Sequence, residues 1–255
     1  MPPTRPIPAP ARSVAPALLQ GVVWLLALSL LAVAPVSHAE TVVGNGTAAS
    51  ETRTPGAFNA IGLQGGLALE VRQGSPASVV VHADSNLVPL IESVVEGDHA
   101  LRLRWKPGTS VRTTSRAWVE VTAPQIGALS SAGSGDITID GMKMPRLAVS
   151  IQGSGALRAK ALDVDDLSLA TSGSAELKLA GRAARVNVDL SGSGGIETSA
   201  LHADDVRVGI AGSGNANVHA ARTLAVSIAG SGDVTYSGDP SVQRAIAGSG
   251  QVRKR

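Results

Sequence analysis

The chain contains no cysteine, and only 2 % of its residues are aromatic. Without cysteine it has no disulfides, no thiol nucleophile and no thiolate metal site. With three Trp, one Tyr and one Phe in 255 residues, large rings cannot fill its interior. Val, Ile, Leu and small residues must do so, and 29 glycines suit a thin, regular core. Charge of one sign is also missing. The 22 basic and 20 acidic residues leave +2, and Arg5 and Arg12 supply that surplus. Beyond residue 39 the chain is neutral, so it lacks the electrostatic footprint of a nucleic-acid binder. His82, His99, His202 and His219 are scattered, without the paired spacing of a metal site.

The N-terminus carries the pattern of a secretory signal. Arg5 and Arg12 precede the uncharged run "GVVWLLALSLLAVA" (21–34), and "SHA" (37–39) has small residues at both cleavage-determining positions. Cleavage is expected between Ala39 and Glu40. The 14-residue apolar run is short for a span of about 20 residues, so no membrane span is expected in the mature chain.

The second half repeats itself. Gly-Ser-Gly recurs as Gly133-Ser134-Gly135, Gly153-Ser154-Gly155, Gly192-Ser193-Gly194, Gly212-Ser213-Gly214, Gly230-Ser231-Gly232 and Gly248-Ser249-Gly250, with a Gly-Ser-Ala variant at 173–175. The steps are 20, 20, 19, 20, 18 and 18 residues. An alternating apolar run precedes each copy, for example "LAVSI" (147–151), "VNVDL" (186–190) and "VRVGI" (206–210). Such alternation marks a strand with one buried face. A weaker alternation follows each copy, so the unit reads as strand, glycine corner, strand, polar corner. One such unit cannot bury its apolar face alone, but stacked copies can. The expected architecture is therefore all-β: a single-domain parallel β-helix, or β-solenoid, with coils of about 18–20 residues. The corner glycines supply backbone angles and close approach that other residues deny. The serines between them are expected to form a ladder, their hydroxyls bonding one another or the corner backbone.

The residues before the alternating runs are Arg146, Asp166, Arg185, Asp205 and Thr223. Stacked, they place opposite charges side by side, and a slip of one coil would set Arg on Arg. Residues 53–128 do not follow the repeat and are read as an irregular β cap. The expected organisation is a signal peptide at 1–39, a flexible leader at 40–52, the solenoid at 53–250 with repeats from 129, and a basic tail at 251–255 guarding the last strand edge.

No catalytic constellation stands out. The corner glycines join strands rather than opening a helix, which argues against phosphate binding. Calcium-binding Gly-Asp repeats have a nine-residue period, and here Asp follows only two corners, at Asp136 and Asp233. The corners account for the serines, so no Ser-His-Asp site is expected. No catalytic residue, cofactor or metal ligand is assigned.

The stretches "GAFNAIGLQGGLALEVRQG", "VVVHADSNLVPLIESVVEGDHALRLR", "VEVTAP" and "LSSAGSGDITI" closely resemble the head GIN domain of putative auto-transporter adhesins, from about Arg53 to Ser237. The resemblance implies a right-handed parallel β-helix exported by a bacterium. Only five residues follow the last corner, too few for a membrane barrel, so self-translocation is not expected. The functional expectation is an exported, non-enzymatic adhesin or envelope-binding protein, in the periplasm or on the cell surface. Its ligand would be an unidentified envelope glycan or protein, with self-association possible and nucleic acid excluded. The alternatives are a polysaccharide-active enzyme and a purely structural envelope component.

Overall fold

The computed structural model describes residues 41–97 and 99–255. The expected cleavage site, Ala39 and Glu40, lies outside the described residues.

The described chain is built of strands joined by one short 3₁₀ turn at Val88–Leu90. The N-terminal strands are β1 (Thr41–Val43), β2 (Ala48–Arg53), β3 (Ala60–Gly65), β4 (Ala68–Gln73), β5 (Ser78–Asp84), β6 (Ile91–Glu96), β7 (Ala100–Trp105), β8 (Ser110–Arg112) and β9 (Trp118–Ala123). After β10 (Ala128–Gly133) come five long ones: β11 (Ile137–Gly153), β12 (Ala156–Gly173), β13 (Glu176–Gly192), β14 (Gly195–Gly212) and β15 (Asn215–Gly230). The chain closes with β16 (Val234–Ser237), β17 (Ser241–Gly248) and β18 (Val252–Lys254).

Each long strand is one coil, paired in parallel with the next. Alternation sends every second side chain inward. In β12, Leu157 and Ala159, then Leu162 and Val164, then Leu167, Leu169 and Thr171 are buried. Paired exposed residues at 160–161 interrupt the alternation, so the second half of the unit bends once more and a coil has three short faces. Ala161 takes φ 50° at this bend and Gly141 takes φ 70° at the matching place in β11. The changes of repeat length are absorbed nearby. Register shifts fall between Ala159 and Leu162, Lys178 and Ala180, and Thr198 and Asp205, while the glycine corners stay aligned.

Inward residues stack into apolar columns. One runs Val149–Leu169–Val188–Val208–Val226 and another Leu147–Leu167–Val186–Val206–Leu224. At about 25 cal/mol per Å² of apolar area removed from water, these columns are the main source of stability. A third column, Leu63–Ser131–Ile151–Thr171–Leu190, contains two buried hydroxyls without a hydrogen-bond partner.

The stack begins before the repeat does. β3 and β4 form an early coil whose Gly65 aligns with Gly133, although it lacks the Gly-Ser-Gly spelling. β7 and β9 form another, stacked outside it on β3 and β4. Stacking order therefore departs from chain order, because the chain runs outward to 100–123 and then returns to lay β10 on the inner side of β3. Antiparallel β6 covers β7, and antiparallel β5 and β2 cover β9 in turn. Leu87, Val88 and Ile91 bury their side chains in the core here.

Two expectations about the termini need correction. The leader expected at 40–52 is, over its described residues 41–52, part of the paired structure rather than a free segment. β1 pairs with β8 and β2 pairs with β5, which satisfies their backbone groups. Arg53 donates to the carbonyls of Val88 and Ile91. The buried Asp84 carboxylate accepts from Ser115 Oγ and the amide of Thr114, and these hydrogen bonds hold its pKa below the ordinary carboxylate value. Nor is 251–255 merely a charged tail, since β18 continues the stack by pairing with β16. The inward-pointing charge at that end is Arg244, in register with core residue Val226.

Candidate binding surface

The Gly-Ser-Gly corners align in one column. Gly133, Gly153, Gly173, Gly192, Gly212, Gly230 and Gly248 pair in direct sequence. All have φ between 119° and 139°, and a Cβ would lie 2.0–2.5 Å from the carbonyl oxygen of the preceding coil's glycine. Neither condition admits a side chain. The third residue of the corner is less strict. Gly155, Gly194, Gly214, Gly232 and Gly250 also approach a carbonyl oxygen within 2.5 Å of an added Cβ, yet Ala175 occupies the equivalent place.

The serines behave differently from expectation. Their backbone amides donate to the glycine carbonyl of the previous coil, as in Ser154 to Gly133 and Ser213 to Gly192. Among the described residues, none of the seven corner serine hydroxyls makes a side-chain hydrogen bond. The residue after the corner does. Asp136 accepts from the Ala156 amide, Asn215 from Asp233 and Asp233 from Gln251. Carboxylates that suggested calcium are thus committed to the backbone, and among the described residues no group of three or more His, Asp or Glu could hold a metal ion. His202 and His219 do meet on adjacent coils, with ring centroids 4.9 Å apart. Trp118 stacks on His82 at 3.8 Å and takes the Arg116 guanidinium 5.6 Å from its ring centroid.

The polar corner forms the surface feature with chemical capacity. Arg146, Asp166, Arg185, Asp205 and Thr223 align one per coil, as the charge alternation predicts. Arg185 grips Asp166 with two guanidinium nitrogens at 2.5 and 2.8 Å. Asp205 accepts instead from Arg222 at 2.6 Å and Thr223 at 2.8 Å. The Arg185 hydrogen bond holds the Asp166 carboxyl below its ordinary pKa, and Asp166 in turn raises that of Arg185. Beside this charged wall runs a trough of about 660 Å³ across five coils, from Gly127 to Ala225. Ala148, Ser168 and Ala225 give it low places, and Asn187 and Arg207 rise from the same outward column. A second trough of about 570 Å³ shares Arg207 and Ala225 and reaches Gln243 and Arg244.

The sequence identified the wall but not the opposite side. Asn187, Asp189 and Arg207 occupy outward positions of "VNVDL" and "VRVGI", where no motif repeats. Only the period-two alternation shows that they face outward.

The family model described as putative auto-transporter adhesin, head GIN domain, matches residues 57–240. The chain belongs to this family. Solved structures share its fold. A putative lipid binding protein from Parabacteroides distasonis is 25 % identical, with a TM-score of 0.73 over 85 % of this chain and 100 % of its own. A putative adhesin from Bacteroides fragilis is 22 % identical, with a TM-score of 0.78 over 84 % of this chain and 100 % of its own. Another from Parabacteroides merdae is 23 % identical, with a TM-score of 0.62 over 84 % and 99 %. No curated protein matches the chain. Among the described residues, no helix of this head GIN domain is long and apolar enough to cross a membrane.

Proposed function

We propose that the chain is an exported, non-enzymatic binding protein of the bacterial cell envelope, and that it lays an extended ligand along the charged corner trough. The observation that carries this reading is the trough itself. It runs along the stack across five coils, longer than a small substrate needs, and every coil adds an equivalent side chain to its wall. Family membership and neighbours named as adhesins support a binding role. The signal-like N-terminus supports export. The trough's carboxylates also suit binding better than catalysis. Asp166 and Asp205 are held by arginines, and the pKa of Asp166 is lowered, whereas a general acid requires a raised one.

One similar structure is named as lipid binding. The trough's charged wall favours a polar ligand over an acyl chain. Filling the floor with Ser168→Trp tests the reading. The exported protein and the variant are compared on an array of envelope glycans, lipids and proteins, with released sugars assayed in parallel. Saturable binding that the variant loses, without product, is expected. Product release, or binding indifferent to the variant, overturns it.

A further inference from the structure

The acids along the trough are satisfied and the arginines are in surplus. Asp166 is taken by Arg185 and Asp205 by Arg222 and Thr223. Asp189, outside the five-coil trough, accepts from the neutral Asn187 and keeps its charge. Arg207, in contrast, makes no side-chain hydrogen bond or ion pair among the described residues. Arg146 lies 3.7 Å from an Asp166 already held by two bonds, with 85 % of its side chain exposed. The two surplus guanidinium groups, Arg146 and Arg207, both line the five-coil trough. Arg146 and Arg207 are three coils apart. At roughly 4.8 Å per coil this interval is about 14 Å.

From this we infer that the trough selects an acidic polysaccharide, a chain of hydroxyl-rich rings carrying carboxylates at intervals. The inference rests on the trough being the binding surface and adds the chemistry of what it takes. Guanidinium groups match carboxylates through two parallel hydrogen bonds. The small residues between them let a flat ring lie near the backbone, and Ser168, Asn187 and Gln243 offer partners for hydroxyls. The direction of the trough disfavours an acidic peptide. It crosses a sheet face whose backbone groups are already paired between coils, so a peptide strand gains no ladder hydrogen bonds there. A nucleic acid would lack aromatic platforms for its bases.

The test is calorimetric titration of the exported protein with oligogalacturonate, neutral dextran oligomers and phosphatidylglycerol vesicles. It uses wild type, Arg207→Ala, Arg207→Lys and Ser168→Trp, plus Arg158→Ala as a control outside the trough. Arg207 makes no side-chain hydrogen bond or ion pair among the described residues, so its variants should keep the wild-type melting temperature. The expected result is saturable binding of oligogalacturonate, weakened about tenfold in Arg207→Ala, partly recovered in Arg207→Lys, weakened by salt and unchanged in the control. Failure of oligogalacturonate to bind, preference for the vesicles, or an Arg207→Ala variant that binds normally overturns the inference. If dextran binds equally and Ser168→Trp abolishes it, the trough stands and the acidic class falls. If oligogalacturonate binds regardless of every substitution, both fall.

Discussion

The two ends of the described chain use the same stacking rule and specify it differently. From Ala128 onward each coil meets its chain neighbour, and position by position the same residue types recur. From Thr41 to Ala123 the coils are stacked out of chain order and sealed by antiparallel strands. The repeat is held by a geometric necessity, a glycine column that no side chain can enter. The cap is held by singular contacts, such as Asp84 with Ser115 and Arg53 with Ile91. Disturbing a shared element should be costly in the repeat, and disturbing a singular one should be local in the cap.

The largest effect is expected at the glycine column. Gly192→Val places a Cβ 2.4 Å from the Gly173 carbonyl oxygen at φ 119°. It should cost on the order of 4 kcal/mol or prevent folding, whereas Ala175→Gly at the third corner position should stay within about 1 kcal/mol. Thermal melts of the two variants compare them directly. In the cap, Leu87→Ala removes a fully buried side chain and should cost about 2–5 kcal/mol. Hydrogen exchange should then show the 41–123 segment opening before the coils do.

A smaller change of opposite sign is expected at Thr171. Its buried hydroxyl has no partner between Ile151 and Leu190, so Thr171→Val should stabilise the stack by about 1 kcal/mol, read as a raised denaturant midpoint. Acid should loosen the cap before the repeat. The folded-state pKa of Asp84 is lowered, so its contribution is complete above the ordinary carboxylate pKa of about 4 and is lost as pH falls through the lower folded value. Proteolysis near 41–47 should therefore accelerate on acidification, and in Asp84→Asn that acid sensitivity should diminish. The smallest effect is expected from Arg185→Ala. Arg185 is exposed and its partner Asp166 half-exposed, and the melting temperature should stay within experimental scatter.

This contrast also explains what could be read in advance. A repeated residue reports its environment several times over, so the corners and the Arg146–Asp166–Arg185–Asp205 ladder were legible in the sequence. Gly65 performs the same task as Gly133, but it stands in "LQGGL" rather than Gly-Ser-Gly, and its coil was hidden within what reads as an irregular cap. The path of the chain through 100–123 leaves no periodic trace, because it depends on which strand edges remain free. The second bend of each coil was obscured because Gly141 and Ala161 differ in type while serving the same turn, and the next coil shifts register there. On the trough, the side set by charge pairing was foreseeable. The side set by Asn187 and Arg207 was not, because ligand-facing positions need not resemble one another.

In the proposed function the repeated coils bind the ligand and the cap closes the stack. Amide chemical-shift mapping of the protein, titrated with oligogalacturonate, tests that division most directly. The predicted result is a continuous band of perturbed residues at 146–148, 166–168, 185–187, 205–207 and 223–225, with 60–123 unchanged. Perturbations centred on Trp118 and the cap strands, with the five-coil band silent, would contradict it.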